Sequence, residues 1–118
     1  MFYPMQSLQR ESKIITGRIN LSAAAAVSST SGKGFSVAKT TTGTYTITLQ
    51  DVYPELIGCA LVKLEAAAGA LLPMLVSESV ASAKTVVLKT APGNTGTATD
   101  TAAAISIFFT LVLKNATT

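Results

Sequence analysis

The sequence predicts an all-β chain: a single antiparallel β-sandwich, jelly-roll or Greek-key-like, of about seven to eight strands, with an extended N-terminal arm. Three observations lead there. Residues 44–49, TYTITL, alternate without a fault, Tyr45, Ile47 and Leu49 on one side and three threonines on the other, which is the period of a half-buried strand. Residues 105–114, ISIFFTLVLK, form the longest apolar strand pattern in the chain. Glycine, proline, serine and asparagine clusters punctuate the sequence about every ten residues, and no segment carries a convincing helical stripe.

The 118 residues suffice for one domain with its own core. The organisation expected is an arm over residues 1–12 and a sandwich over 13–118. The arm, MFYPMQSLQRE and one further residue, places Phe2, Tyr3, Met5 and Leu8 around Pro4. That is too irregular for a helix and too apolar for a free tail, so docking onto a neighbouring subunit is expected. Residues 13–21, KIITGRINL, read as a first strand with a bulge or bend at Gly17. Residues 22–31, SAAAAVSSTS, read as a strand continuation or loop, because so short an alanine run is a marginal helix. Residues 32–49 make the clearest strand, turn, strand unit, with Gly32, Gly34 and Gly43 supplying turn and bulge chemistry. Tyr53 precedes Pro54 and is therefore extended.

Residues 56–65, LIGCALVKLE, alternate as two sets, Leu56, Gly58, Ala60, Val62 and Leu64 against Ile57, Cys59, Leu61, Lys63 and Glu65. Both sets begin apolar, so the outer face of this strand is expected to be covered. Residues 66–70, AAAGA, are a connection. Residues 71–77, LLPMLVS, are a strand that Pro73 restricts to an edge or a bulge. Residues 85–90, TVVLKT, return as a strand, and 91–101, APGNTGTATDT, form the longest turn-like segment. In 105–114 the set Ile105, Ile107, Phe109, Leu111 and Leu113 is the expected core face of a middle strand, with Phe108 on the other.

Composition narrows the function classes. The chain is 48% hydrophobic and only 13% charged, about half the charged share of an ordinary soluble domain, which implies surface covered by a partner. The net charge of +3 comes from nine scattered bases and six acids, without the basic stripe and interleaved aromatics of a nucleic-acid binder. Apolar runs are too short for a helical membrane span, and no leader pattern is seen. With no histidine and one cysteine, Cys59, there is no Ser-His or Cys-His nucleophile, no soft-ligand metal set and no intrachain disulfide. The carboxylates are dispersed; a glycosidase pair such as Asp51 with Asp100 is conceivable, and Asp51 and Glu55 with loop carbonyls are a bare calcium candidate. No catalytic residue, cofactor or metal is expected. Tyr53 is the aromatic most available for a sugar contact.

Residues 32–56, GKGFSVAKTTTGTYTITLQDVYPEL, together with VVLKT at 86–90 and ISIFFTLVLKN at 105–115, resemble the small β-sandwich structural proteins of tailed bacteriophage particles. That resemblance implies a non-enzymatic virion protein made in the host cytoplasm, a capsid decoration (cement) protein or head fibre, commonly trimeric, that binds the major capsid protein. The assembly interface then falls on Phe2, Tyr3, Met5 and Leu8 of the arm and on Ile57, Leu61 and Phe108 of the outer faces. A receptor- or glycan-binding module of a tail fibre, or a tail or neck component, is the alternative.

Overall fold

The computed structural model describes residues 12–64, 71–92, 96–100 and 104–114. They form eight antiparallel strands: β1 (Ser12–Leu21), β2 (Val27–Gly32), β3 (Phe35–Thr41), β4 (Thr44–Leu49), β5 (Glu55–Leu64), β6 (Leu71–Ser79), β7 (Thr85–Pro92) and β8 (Ile105–Lys114). They divide into two four-stranded sheets, ordered β2-β1-β8-β5 and β3-β4-β7-β6. We call these the first and second sheet. No helix occurs among the described residues. Residues 1–11 of the expected arm lie outside the described residues, and Ser12 already belongs to β1.

The sheets stack so that β2 touches β3 along one side and β5 touches β6 along the other. The first four strands form two hairpins, β1–β2 in the first sheet and β3–β4 in the second. The second four return on themselves, β8 lying beside β5 and β7 beside β4.

The core is what the alternation requires. Tyr45, Ile47 and Leu49 from β4, Val86 and Leu88 from β7, Ile15, Ile19 and Leu21 from β1, and Ile107, Phe109, Leu111 and Leu113 from β8 are buried between the sheets. β8 is a middle strand, pairing along ten residues with β1 and along most of its length with β5. The glycines of 32–49 are turn residues: Gly32, Gly34 and Gly43 have φ of 126°, 91° and 63°, conformations that a side chain makes costly.

Gly17 has a different reason from the bulge expected of it. Its pairing with Phe109 and with Gly32 is regular. A Cβ there would stand 2.5 Å from the ring of Phe35 and 2.6 Å from that of Phe109. These two rings meet edge-to-face, centroids 4.9 Å apart at 78°, one from each sheet. Gly17 leaves the room in which they stack.

A second tie between the sheets is polar. The buried Tyr45 hydroxyl on β4 donates to the Ala25 carbonyl at 2.6 Å, in the turn between β1 and β2 of the other sheet. Ala25 is buried with φ of 64°, a strained conformation steadied by the Ser22–Ala25 and Ser22–Ala26 backbone bonds. Burial first, and the negative field of Asp100 second, push the Tyr45 phenol up to about 12. A raised phenol contributes stability that is complete below its unfolded value near 10 and lost as pH climbs through the folded value. The melting temperature is therefore expected to fall between pH 10 and 12. Tyr45→Phe should lower stability at neutral pH by about 1–2 kcal/mol and flatten that alkaline limb. Melting curves at pH 7 to 12 on both proteins check it; an equally steep limb in the variant refutes the assignment.

Candidate functional site

Two surfaces of the sandwich contrast. On the second sheet, β4 turns Thr44, Thr46 and Thr48 outward, and β7 adds Thr85, Val87 and Lys89. Threonine covers a pleated sheet while staying hydrated. On the first sheet the outward side chains mix large apolar residues with threonine, serine, asparagine and arginine, in rows set by the register. Ile14 lies beside Val112 and Gly58, Thr16 beside Thr110 and Ala60, Arg18 beside Phe108 and Val62, and Asn20 beside Ser106 and Leu64. A shallow groove of about 360 Å³ runs along Thr16, Arg18, Phe108 and Thr110 and over Gly17 and Gly32 toward Ser31 on β2.

The apolar surface continues around the corner. β5 and β6 are the edge strands on one side of the sandwich, and they expose Ile57, Val62 and Leu64, then Leu72, Leu75 and Val76. The opposite side, made by β2 and β3, carries VSSTSG and FSVAKTT. The large exposed aliphatic side chains of the edge strands are thus gathered on one side of the sandwich.

One bulge explains which side chains of β5 face out. The β5–β8 register slips between Leu56 and Gly58, so a residue is inserted and the phase changes. Leu56 faces the core before the slip; Cys59 and Leu61 face it after. Gly58, Ala60, Val62 and Leu64 therefore line the outer face, and Ile57 stands exposed at the bulge. Of the sequence-predicted interface residues, Ile57 and Phe108 are on the surface as expected. Leu61 is corrected: it packs against the core, and the outward apolar position is its neighbour Val62, 61% exposed. A bulge that reverses the phase leaves no mark in a run of apolar residues. Phe2, Tyr3, Met5 and Leu8 lie outside the described residues.

The polar elements of the face serve its geometry. The Arg18 guanidinium sits 5.1 Å over the Phe108 ring. It also donates to Asn20 Oδ1 at 2.9 Å and to Ser106 Oγ at 3.1 Å, while Ser106 donates to Asn20 Oδ1 at 2.8 Å and Asn20 to Ser29 at 2.9 Å. This ladder crosses β8, β1 and β2 and holds the ring of Phe108 at a fixed height.

Two of the candidate chemical groups, Asp100 and Tyr53, are held in structural contacts. Asp100 accepts from the Gly43 backbone N–H at 2.7 Å and pairs with Lys39 at 3.0 Å. The Lys39 hydrogen bond first, and the Gly43 N–H second, hold its carboxyl below the usual range. Asp51 follows the far end of β4, roughly 20 Å away by strand rise, beyond the spacing of a glycosidase pair. Tyr53 is corrected too: it is 7% exposed and belongs to the core, because the turn after β4 carries it against Val80, whose carbonyl accepts its N–H. Burial pushes the half-buried Cys59 thiol up. Among the described residues no group of His, Cys, Asp and Glu side chains could hold a metal, and no helix is long and apolar enough to cross a membrane. Comparison with protein-family models, curated proteins and solved structures finds no match.

Proposed function

We propose that the chain is a non-enzymatic structural component of a virus particle, a capsid decoration or cement protein that associates with itself, as a trimer, and binds the major capsid protein. The observation that carries this reading is the apolar corner made by the outer face of the first sheet and the β5–β6 edge, on a chain whose other faces are threonine-rich. Contiguous exposed apolar surface of this kind marks a place where another surface docks. A part that binds only the assembled shell stabilises it by mass action, without chemistry. The texture of residues 32–56 and 105–115 supplies the virion context. The tail-fibre glycan reader is the weaker alternative, because Tyr53, its one proposed aromatic contact, is buried.

The test is to locate the chain in purified particles. Many copies per head, and heads that lose thermal resistance when stripped of it and regain it on re-addition, are expected. A particle preparation that lacks the chain, or a few copies confined to the tail, overturns the decoration reading.

A further inference from the structure

We infer that the groove along Thr16, Arg18, Phe108 and Thr110 is a saccharide site, taking one sugar unit that carries a carboxylate, with Arg18 as the group that holds that carboxylate. The inference goes beyond the capsid reading. It uses the β2–β1 half of the first sheet, where Ser29, Ser31, Thr16, Arg18 and Asn20 face outward, rather than the apolar β5–β6 edge. At about 360 Å³ the groove stands at the lower end of small-molecule sites, roughly 300–1,000 Å³. Its lining includes Gly17 and Gly32, which pair across β1 and β2 and have no side chains to fill it.

Arg18 is built as a carboxylate fork. Its Nε donates to Asn20 Oδ1 at 2.9 Å and its Nη2 to Ser106 Oγ at 3.1 Å, and its guanidinium carbon lies 5.1 Å from the Phe108 ring centroid. These contacts fix the guanidinium plane while Nη1 keeps no acceptor among the described residues, so the fork is oriented before a ligand arrives. Its charge is also unspent. β1, β2 and β8 contain no Asp or Glu. Glu55 on β5 lies in register with Lys114, roughly 20 Å along the sheet from Arg18 by strand rise, and Lys33, just past β2, lines the adjacent hollow with Asp51. One guanidinium among neutral groups matches the single charge of a carboxylate better than the nearly double charge of a phosphate. The rest of the groove suits a polyhydroxyl ring. The hydroxyls of Thr16, Ser31 and Thr110 have no hydrogen-bond partner among the described residues, and each can donate and accept, as a sugar hydroxyl does. Phe108, 36% exposed, adds an apolar surface for the C–H face of the ring. An acidic peptide side chain would satisfy Arg18 and leave these hydroxyls unused.

Calorimetric titration of the full chain with glucuronate, N-acetylneuraminate, glucose, inorganic phosphate and a glutamate-containing tripeptide tests this. One of the two acidic sugars should bind, and glucose should bind about tenfold or more weaker, because it lacks the charge-assisted contact. Arg18→Met should weaken the acidic sugar by about tenfold or more, Arg18→Lys, which keeps the charge without the fork, by less, and Ser31→Ala by about threefold or more, with circular dichroism and melting temperature reporting an intact fold. Ser31 is exposed and stands outside the hydrogen bonds of Arg18, so its variant reads the groove even where Arg18→Met disturbs the fold. No binding of either acidic sugar, equal binding of glucose, phosphate or tripeptide binding as tight as that of the sugar, or titrations unchanged by Arg18→Met each overturn the site. Self-association that Arg18→Met abolishes, with no sugar bound, gives the groove to a second copy and overturns it as well. Because the isolated chain is titrated, the outcome is independent of the particle-location experiment that decides the virion reading.

Discussion

Leu111→Ala is expected to cost about 3–5 kcal/mol of folding stability, enough to leave much of the protein unfolded near 37 °C. Leu111 is fully buried on β8, where its strand neighbours are Ile15 on β1 and Cys59 on β5. Flanked by strands on both sides and covered by the second sheet, the site cannot collapse onto the void a truncated side chain leaves, so the cavity term adds to the lost transfer energy. The neighbouring Val112 faces the opposite way and is only half-buried; Val112→Ala should cost no more than about 1 kcal/mol. Urea unfolding at pH 7 measures both. Comparable losses at 111 and 112 would mean that β8 does not present alternate residues to core and surface.

That contrast follows the pattern visible in residues 105–114, and the reason it was legible is general. A strand with one buried face records its orientation in every second residue, so the core sides of β4 and β8 were written in the sequence. Where both sides are apolar, as in residues 56–65, the alternation carries no phase, and the slip between Leu56 and Gly58 moved Leu61 inward and Val62 outward unannounced. Gly17 illustrates the same limit for glycine. Its sequence context shows only that a side chain is missing, whereas the cause is the Phe35–Phe109 ring pair assembled from strands far apart in the chain. The apolar surface was legible as an excess of hydrophobic over charged residues. Its concentration on one side of the sandwich was not, because it depends on β5 and β6 being stacked as edges of different sheets, a property of the topology alone.

Gly43 ties the longest turn segment to the second sheet, and Gly43→Ala is the substitution expected to break that tie. Gly43 closes the β3–β4 hairpin with φ of 63°, and a Cβ there would stand 2.5 Å from the Thr99 nitrogen and 2.6 Å from its carbonyl oxygen. The obstruction is backbone, held from the other side: the buried Thr90 donates its N–H to the Gly43 carbonyl at 2.8 Å and its hydroxyl to the Thr99 carbonyl at 2.7 Å, and accepts the Thr99 N–H at 2.8 Å. Residues 96–100 must move, and with them Asp100, which loses the Gly43 N–H and Lys39. The left-handed conformation alone costs alanine about 1–2 kcal/mol, and the broken network makes the total about 3 kcal/mol or more. The pH dependence identifies the cause. Because Asp100 is held below its usual value, its contribution is present above the unfolded carboxylate pKa and is lost as pH falls through the folded value. Between pH 5 and 2 the wild type should therefore lose more stability than Gly43→Ala, and Asp100→Asn should resemble the variant in its acid limb. Gly58→Ala supplies the control, since a Cβ there meets Val112 at an ordinary 3.8 Å and should change stability by no more than about 0.5 kcal/mol. Equal acid limbs for wild type and Gly43→Ala would show that Asp100 does not anchor the segment, and an unaltered melting temperature would show that Thr99 yields without cost.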